Sequence, residues 1–398
     1  MHLGIEKIAL LLLIAAVVSI AARRLRVPYS VGLVIAGIAL AILPFAPQVE
    51  LTKQLVFSAF LPPLVFEAAF QIRSSELRRE LLLILVLATI GVVISAVVTA
   101  VGLHSIIGWT WVAAIAFGAL ISATDPVSVI ATFKDAGVRG RIRLLVEAES
   151  LFNDGTAAVA FAIVLGVVAG QSVGVIGITK TLLIMIVGSL LCGAAVAGLA
   201  LLLAGATDDR LVEITFMVVA AYGSFLLAEH FHLSGVLATL TAGLMVRNVG
   251  HLAIAAKDRT TVEEFWEYIA FVANSLIFLL IGIRIEHQTY RFVLGAALIA
   301  IAIVILGRAI TVYSLCLLFR WSNRAVPLRH QHILFWGGLR GALALALALA
   351  LPQEIAQRQE IVAVAFAVVA FSILVQGLTI TPLLRSASSS STPKPAPT

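Results

Sequence analysis

Apolar runs of about twenty residues recur along almost the whole chain, parted by short loops that hold most of its arginines. At 1.5 Å of rise per residue, a helix of that length matches the hydrocarbon thickness of a bilayer. Of the 398 residues, 61% are hydrophobic and only 12% are charged. An ordinary soluble domain carries about twice that charged fraction. The mean hydropathy of +1.09 leaves too few polar groups to cover a water-facing surface. In lipid the backbone must satisfy itself within helices or closed barrels, and the ten-residue alternation of a barrel strand is missing here. The chain therefore reads as an all-α polytopic membrane protein.

Thirteen candidate spans lie at about 4–22, 28–46, 53–71, 81–103, 109–133, 144–169, 176–204, 211–230, 234–248, 266–285, 290–319, 331–351 and 360–384. With the N-terminus outside, nineteen basic residues fall in inner loops and six in outer ones; Arg308 and Arg340 remain inside spans. That imbalance follows the positive-inside rule, and a twelve-span count would break it. The C-terminus is then cytoplasmic. Residues 1–22 are too long for a secretory signal and precede Arg23, Arg24 and Arg26, so they read as the first span. The formal charge of +6 reflects these loops, not a nucleic-acid surface. Cys192 and Cys316 lie in apolar segments, where packing is the expected role. Residues 386–398 are rich in Ser, Pro and Thr and read as a disordered tail.

Two spans are interrupted. The fifth contains Ser122-Ala123-Thr124-Asp125-Pro126, where the proline removes a donor and disfavours helix just before it. The twelfth contains Trp336-Gly337-Gly338-Leu339-Arg340-Gly341. Paired interruptions in two halves point to a transporter of inverted repeats, with spans 1–6 and 8–13 as the repeats. Gly and Pro alone usually mean packing or a kink in membrane helices, but here each break also carries a charge, Asp125 or Arg340.

The sixth span contains Glu147-Ala148-Glu149-Ser150-Leu151-Phe152-Asn153-Asp154-Gly155. Glu149, Ser150, Asn153 and Asp154 fall within roughly 140° of a helical wheel, as one polar stripe. Ionisable groups at this depth survive where they bind an ion, carry a proton or line a pathway. A carboxylate taken out of water is comfortable when neutral or when paired with a cation, so Asp154 can satisfy a proton or a small cation but not both. Ser150 and the freed Thr124 carbonyl offer the oxygen ligands that an alkali cation needs, and Glu67 in the third span is a further ligand or proton carrier. Arg340 needs an anion, for which Glu149 is the first choice; Arg308 poses the same question. Asn274 reads as an interhelical hydrogen bond, and His330, His332, His230 and His232 as solvated helix ends.

Thr124-Asp125-Pro126, Glu149 through Gly155, and Gly337-Gly338-Leu339-Arg340-Gly341 resemble the signature motifs of the sodium/proton exchanger family, in its NhaP-type branch. The resemblance implies a homodimer. Each protomer would hold a scaffold and dimer-interface domain (1–80 and 207–288), an ion-translocating core (81–171 and 289–385) and a linker helix (172–206). It implies that Asp154 alternates between proton and cation beside Asn153, with Ser150, Thr124 and Glu67 as cation ligands. It also implies that Glu149 and Arg340 bridge as an ion pair, and that Asp125 offsets helix-end charge in the crossed unwound segments. Electroneutral one-for-one exchange of Na+ (or Li+ or K+) for H+ at the cell membrane is the expected activity, with no cofactor. A potassium-selective antiporter and an ion channel are the near alternatives. An intramembrane protease using Asp125 and Asp154 is a remote one, since no Gly-x-Gly-Asp segment is present.

Overall fold

The computed structural model describes residues 5–25, 27–42, 51–125, 129–130, 133, 138, 140–168, 175–250, 259–286, 293–355 and 357–388. Among them every regular element is helical. The first half comprises α1 (Ile5–Leu25), α2 (Tyr29–Ile42), α3 (Leu61–Phe70), α4 (Ser74–Ala88), α5 (Ile90–Gly102), α6 (Trp111–Ser122) and α7 (Arg141–Val168). Then come α8 (Val175–Ala204), α9 (Arg210–His230), α10 (Gly235–Val249), α11 (Arg259–Glu286) and α12 (Leu294–Leu318). The last four are α13 (Leu328–Trp336), α14 (Ala342–Leu349), α15 (Arg358–Phe371) and α16 (Gly377–Ser388).

Among the described residues each of the thirteen expected segments contains helix, but the helices do not divide one for one into thirteen spans, and eight helical stretches are long and apolar enough to cross a bilayer. Tyr29–Ile42, Trp111–Ser122 and Gly235–Val249 are shorter. One cause of shortening is written in the sequence: α6 stops four residues before Pro126, and α13 and α14 are parted by the Gly337-Gly338 run. The Thr124-Asp125-Pro126 motif is described only as far as Asp125. Helix α16 runs to Ser388, three residues into the stretch expected as tail, and residues 389–398 lie outside the described residues.

Starts are set by side-chain caps. Thr110 accepts from the Ala113 amide at 3.3 Å to open α6, Asp209 from Leu211 at 2.9 Å to open α9, and Ser234 from Leu237 at 3.3 Å to open α10. Many outward side chains are apolar, such as Leu13 (62% exposed) and Leu202 (76%). A water-facing surface of that kind would aggregate, so the fitting solvent for this belt is hydrocarbon.

Helices sort by contact into two groups. Helices α1, α2, α3, α9, α10 and α11 pack on one another, with α8 laid across α9 and α10. Helices α4, α5, α6, α7, α12 and the broken pair α13–α14 form the other group, with α15 against α12 and α14. The tightest contact in the first is α2 on α11. A methyl group on Gly37 would lie 2.3 Å from the Leu279 carbonyl oxygen, and one on Gly282 would lie 2.3 Å from that of Val34. Only glycine lets the two backbones approach so closely. Helices α7 and α3 meet at the junction between the groups, where the polar stripe lies.

Candidate functional site

The two interrupted spans meet at their breaks. Helix α6 ends where Ala123 turns extended (φ −56°, ψ 136°), and the Asp125 amide then donates to the Leu339 carbonyl at 2.7 Å. Among the described residues this backbone bond joins the two unwound segments. Each carries its charge to the other's helix end. Arg340 donates from Nη1 to the carbonyls of Ser122 (2.6 Å) and Ala123 (3.1 Å), which lie at the end of α6. The Asp125 carboxylate sits against Gly341, the N-cap of α14, so closely that a Cβ there would lie 2.1 Å from its Oδ2. Cationic side chains suit a helix C-terminus and anionic ones an N-terminus, and both ends are answered here.

Arg340 is therefore not the partner of Glu149, contrary to the sequence expectation. Glu149 is held by Arg308 through two parallel bonds, Nη1 to Oε1 at 2.7 Å and Nη2 to Oε2 at 3.0 Å. Both side chains are buried. Arg308 also donates to the Leu334 carbonyl at 2.9 Å, tying α12 to α13 and α7. The physical reason lies in the break itself: with no helix to continue, the carbonyls of residues 122 and 123 need a donor, and the extended Arg340 is within reach. Its own amide donates to Ser372 Oγ (2.9 Å), which in turn donates to Gln376 Oε1 (2.7 Å). That serine and glutamine, four apart in an apolar run, form a polar pair whose spacing is visible in the sequence.

The stripe on α7 meets the paired breaks directly. Ser150 Oγ donates to the Thr124 carbonyl, and Thr124 Oγ1 donates to Ser150 Oγ at 3.0 Å. Asn153 Nδ2 donates to Thr124 Oγ1 at 3.3 Å and to Glu149 Oε1 at 3.4 Å. Asp154 comes next on the helix and is half-buried; its Oδ1 has no hydrogen-bond partner among the described residues. It opens into a cavity of about 60 Å³ that is also lined by Thr124, Asp125, Gly341 and Asn274. A buried carboxylate oxygen left without a donor is costly unless something else occupies the site.

The remaining expected residues are placed as follows. Glu67 accepts from Gln71 Nε2 at 3.1 Å; its neighbours Leu64, Val65 and Ala68 line the cavity, but Glu67 itself is not among the lining residues. Asn274 was expected to bridge helices, yet its side chain makes no hydrogen bond to any described residue and faces the cavity instead. Glu147 pairs with Arg143 at 2.6 Å, and His332 Nδ1 shares a 2.7 Å bond with the Tyr313 hydroxyl. A cluster missed from sequence sits at the base of the second group. Arg141 grips Glu80 through two 2.9 Å bonds and donates to the carbonyls of Ala325 and Arg324, each at 2.7 Å. Chemically, the centre offers the Asp154 and Asp125 carboxylates, two hydroxyls and a peptide carbonyl around a small space: hard oxygen donors with two titratable members.

A family profile described as "Sodium/hydrogen exchanger, transmembrane" matches residues 9–386. The low-affinity Na+/H+ antiporter NhaS1 of Synechocystis is 39% identical over 361 residues, covering 89% of this chain and 68% of that protein. The Na+/H+ antiporter NhaH of Halobacillus dabanensis is 33% identical over 393 residues, 95% of this chain and 96% of that one. The solved structure of the sodium proton antiporter MjNhaP1 from Methanocaldococcus jannaschii at pH 8 superposes with a TM-score of 0.74. That match runs at 20% identity over 96% of both chains, which establishes a common fold. The chain is thus a helical membrane transporter that belongs to the sodium/hydrogen exchanger family.

Proposed function

We propose that the protein exchanges Na+ for H+ across the cell membrane, one for one, through competition of the two ions for Asp154. The observation that carries this reading is the Asp154 carboxylate, opening into a cavity beside the unwound segments with one oxygen unanswered. A proton satisfies that oxygen as an O–H; a cation satisfies it together with the Thr124 and Ser150 oxygens that lie behind it. Either occupant removes the charge that would otherwise bar the group from moving past apolar walls. Glu67, one helix turn from cavity residues on α3, completes the ligand set when the two helix groups shift. The relatives named as Na+/H+ antiporters support sodium as the cation. Family membership removes the protease alternative.

Alternating access is part of the proposal, with a scaffold at 1–80 and 207–288, a core at 81–171 and 289–385, and a linker at 172–206; the sorting of the helices into two packed groups supports this reading. Two inverted six-span repeats around the linker, an outer N-terminus, a cytoplasmic C-terminus and a homodimer complete the proposal. Asn153 carries no charge, so one titratable carboxylate per cation turns over and the net charge moved is zero. Each pH unit then drives exchange by about 1.4 kcal/mol, independent of voltage.

Everted vesicles with a pH-sensitive dye test this directly. Addition of Na+ is expected to dissipate an imposed proton gradient in the parent and not in Asp154→Asn. Parental exchange by that variant removes the proposal. In proteoliposomes at fixed pH and Na+, an exchange direction that follows an imposed voltage rules out the one-for-one stoichiometry.

A further inference from the structure

The lining of the Asp154 cavity falls into two sets. Ala123, Thr124, Asp125, Leu151, Asp154, Gly341 and the start of α14 come from the second helix group; α3 and α11 contribute the rest. From α3 and α11 the lining is apolar (Leu61, Leu64, Val65 and Ala68) with one exception, Asn274. That side chain is 7% exposed, and its amide makes no hydrogen bond among the described residues. Its polar atoms are not sealed in the packing but reach the cavity, and leucine or alanine would suit an apolar wall better if packing were its task. An amide differs from both in offering a hard carbonyl oxygen and two N–H donors from one group.

We propose that Asn274 is a cation ligand of the transport site, supplied by α11. Its carbonyl oxygen turns to the cation when Asp154 is occupied by one. Its NH2 turns to the carboxylate when the cation has left. It thereby sets the affinity for the cation from the wall that does not carry the titrating group. The inference rests on the proposed exchange reaction and names a further ligand for it. The same arrangement explains why this polar group sits where α11 faces α3 and α14 and not on a lipid-facing side.

The test measures Na+-dependent dequenching in everted vesicles over a Na+ titration for the parent, Asn274→Ala, Asn274→Leu and Asn274→Gln, with Asp154→Asn alongside. Loss of one ligand oxygen is expected to raise the Na+ concentration for half-maximal exchange about tenfold in the Ala and Leu variants, equal to about 1.4 kcal/mol. Maximal rates are expected to stay within about twofold of the parent, as for a change in binding rather than in turnover. The Gln variant, which keeps the oxygen on a longer arm, is expected to recover part of the affinity. Parental half-maximal Na+ in Asn274→Leu overturns the inference, as does a fall in maximal rate with unchanged half-maximal Na+. If Asp154→Asn is inactive while Asn274→Leu behaves as the parent, only this inference fails; if Asp154→Asn is active, the exchange reading fails first.

Discussion

Replacing Arg308 with Met strands the Glu149 carboxylate, whose side chain is 2% exposed. The variant loses both parallel bonds of 2.7 and 3.0 Å and the bond to the Leu334 carbonyl that anchors α13. What remains near Glu149 is the Asn153 amide at 3.4 Å, too long to replace a guanidinium. Breaking a buried pair by removing one partner typically costs about 3–5 kcal/mol, and the extra carbonyl bond places this case near 4. Glu149→Gln is milder: its amide oxygen still accepts one guanidinium bond, so about 2 kcal/mol is expected. Unfolding entropy of about 2.1 cal/mol/K per residue over 398 residues gives about 0.8 kcal/mol per degree. On that scale Arg308→Met lowers Tm by about 5 °C and Glu149→Gln by about 2–3 °C. Thermal unfolding of purified protein in one detergent, run as a double-mutant cycle, is the assay. The double variant is expected to lose clearly less than the two singles combined. A parallel cycle of Glu149 with Arg340 is expected to show the weaker coupling. An Arg308→Met variant within about 1 °C of the parent, or stronger coupling to Arg340, refutes the reasoning.

Two further perturbations follow from the geometry. Gly341→Ala drives a methyl group into Asp125, so Na+/H+ exchange is expected to disappear while helical circular dichroism persists. Gly295→Ala, with open space around it, serves as the neutral partner, and a functional Gly341→Ala shows the contact of Gly341 with Asp125 to be dispensable. Glu80→Gln weakens the grip of Arg141, whose own side chain is 30% exposed, so about 1–2 kcal/mol of stability is expected to go. With the Arg324 and Ala325 carbonyls less firmly held, trypsin is expected to cut faster at Arg320 and Arg324 in everted vesicles. Unchanged cleavage means that the clamp does not restrain this loop.

The polar stripe was legible because four polar residues in an apolar run on one helical face stand out against everything around them. The breaks were legible because proline and paired glycines announce where helix must stop. Pairing was not. Arg308 and Arg340 both lie in apolar segments, and nothing in the order of residues says which reaches Glu149. That choice is made in three dimensions, by broken backbone at Ala123 claiming Arg340 for its carbonyls. Glu80 and Arg141 were hidden for a different reason: charges at loop ends read as orientation signals, and residues 61 positions apart give no local sign of meeting. Asn274 shows the converse, since a lone amide in a span suggests a neighbour to bond, and only the cavity reveals that the neighbour is missing.

The guanidinium of Arg340 on the end of α6 has one more outcome. Peptide oxygens cannot be switched off by acid, so a bare helix end would hold alkali ions at any acidity. With that end already occupied from within the chain, the negative charge that draws an ion into the chamber is left to carboxylates, which hydrogen ions can silence. Under the proposed exchange, acidification weakens the hold of the chamber on its ion through those same carboxylates.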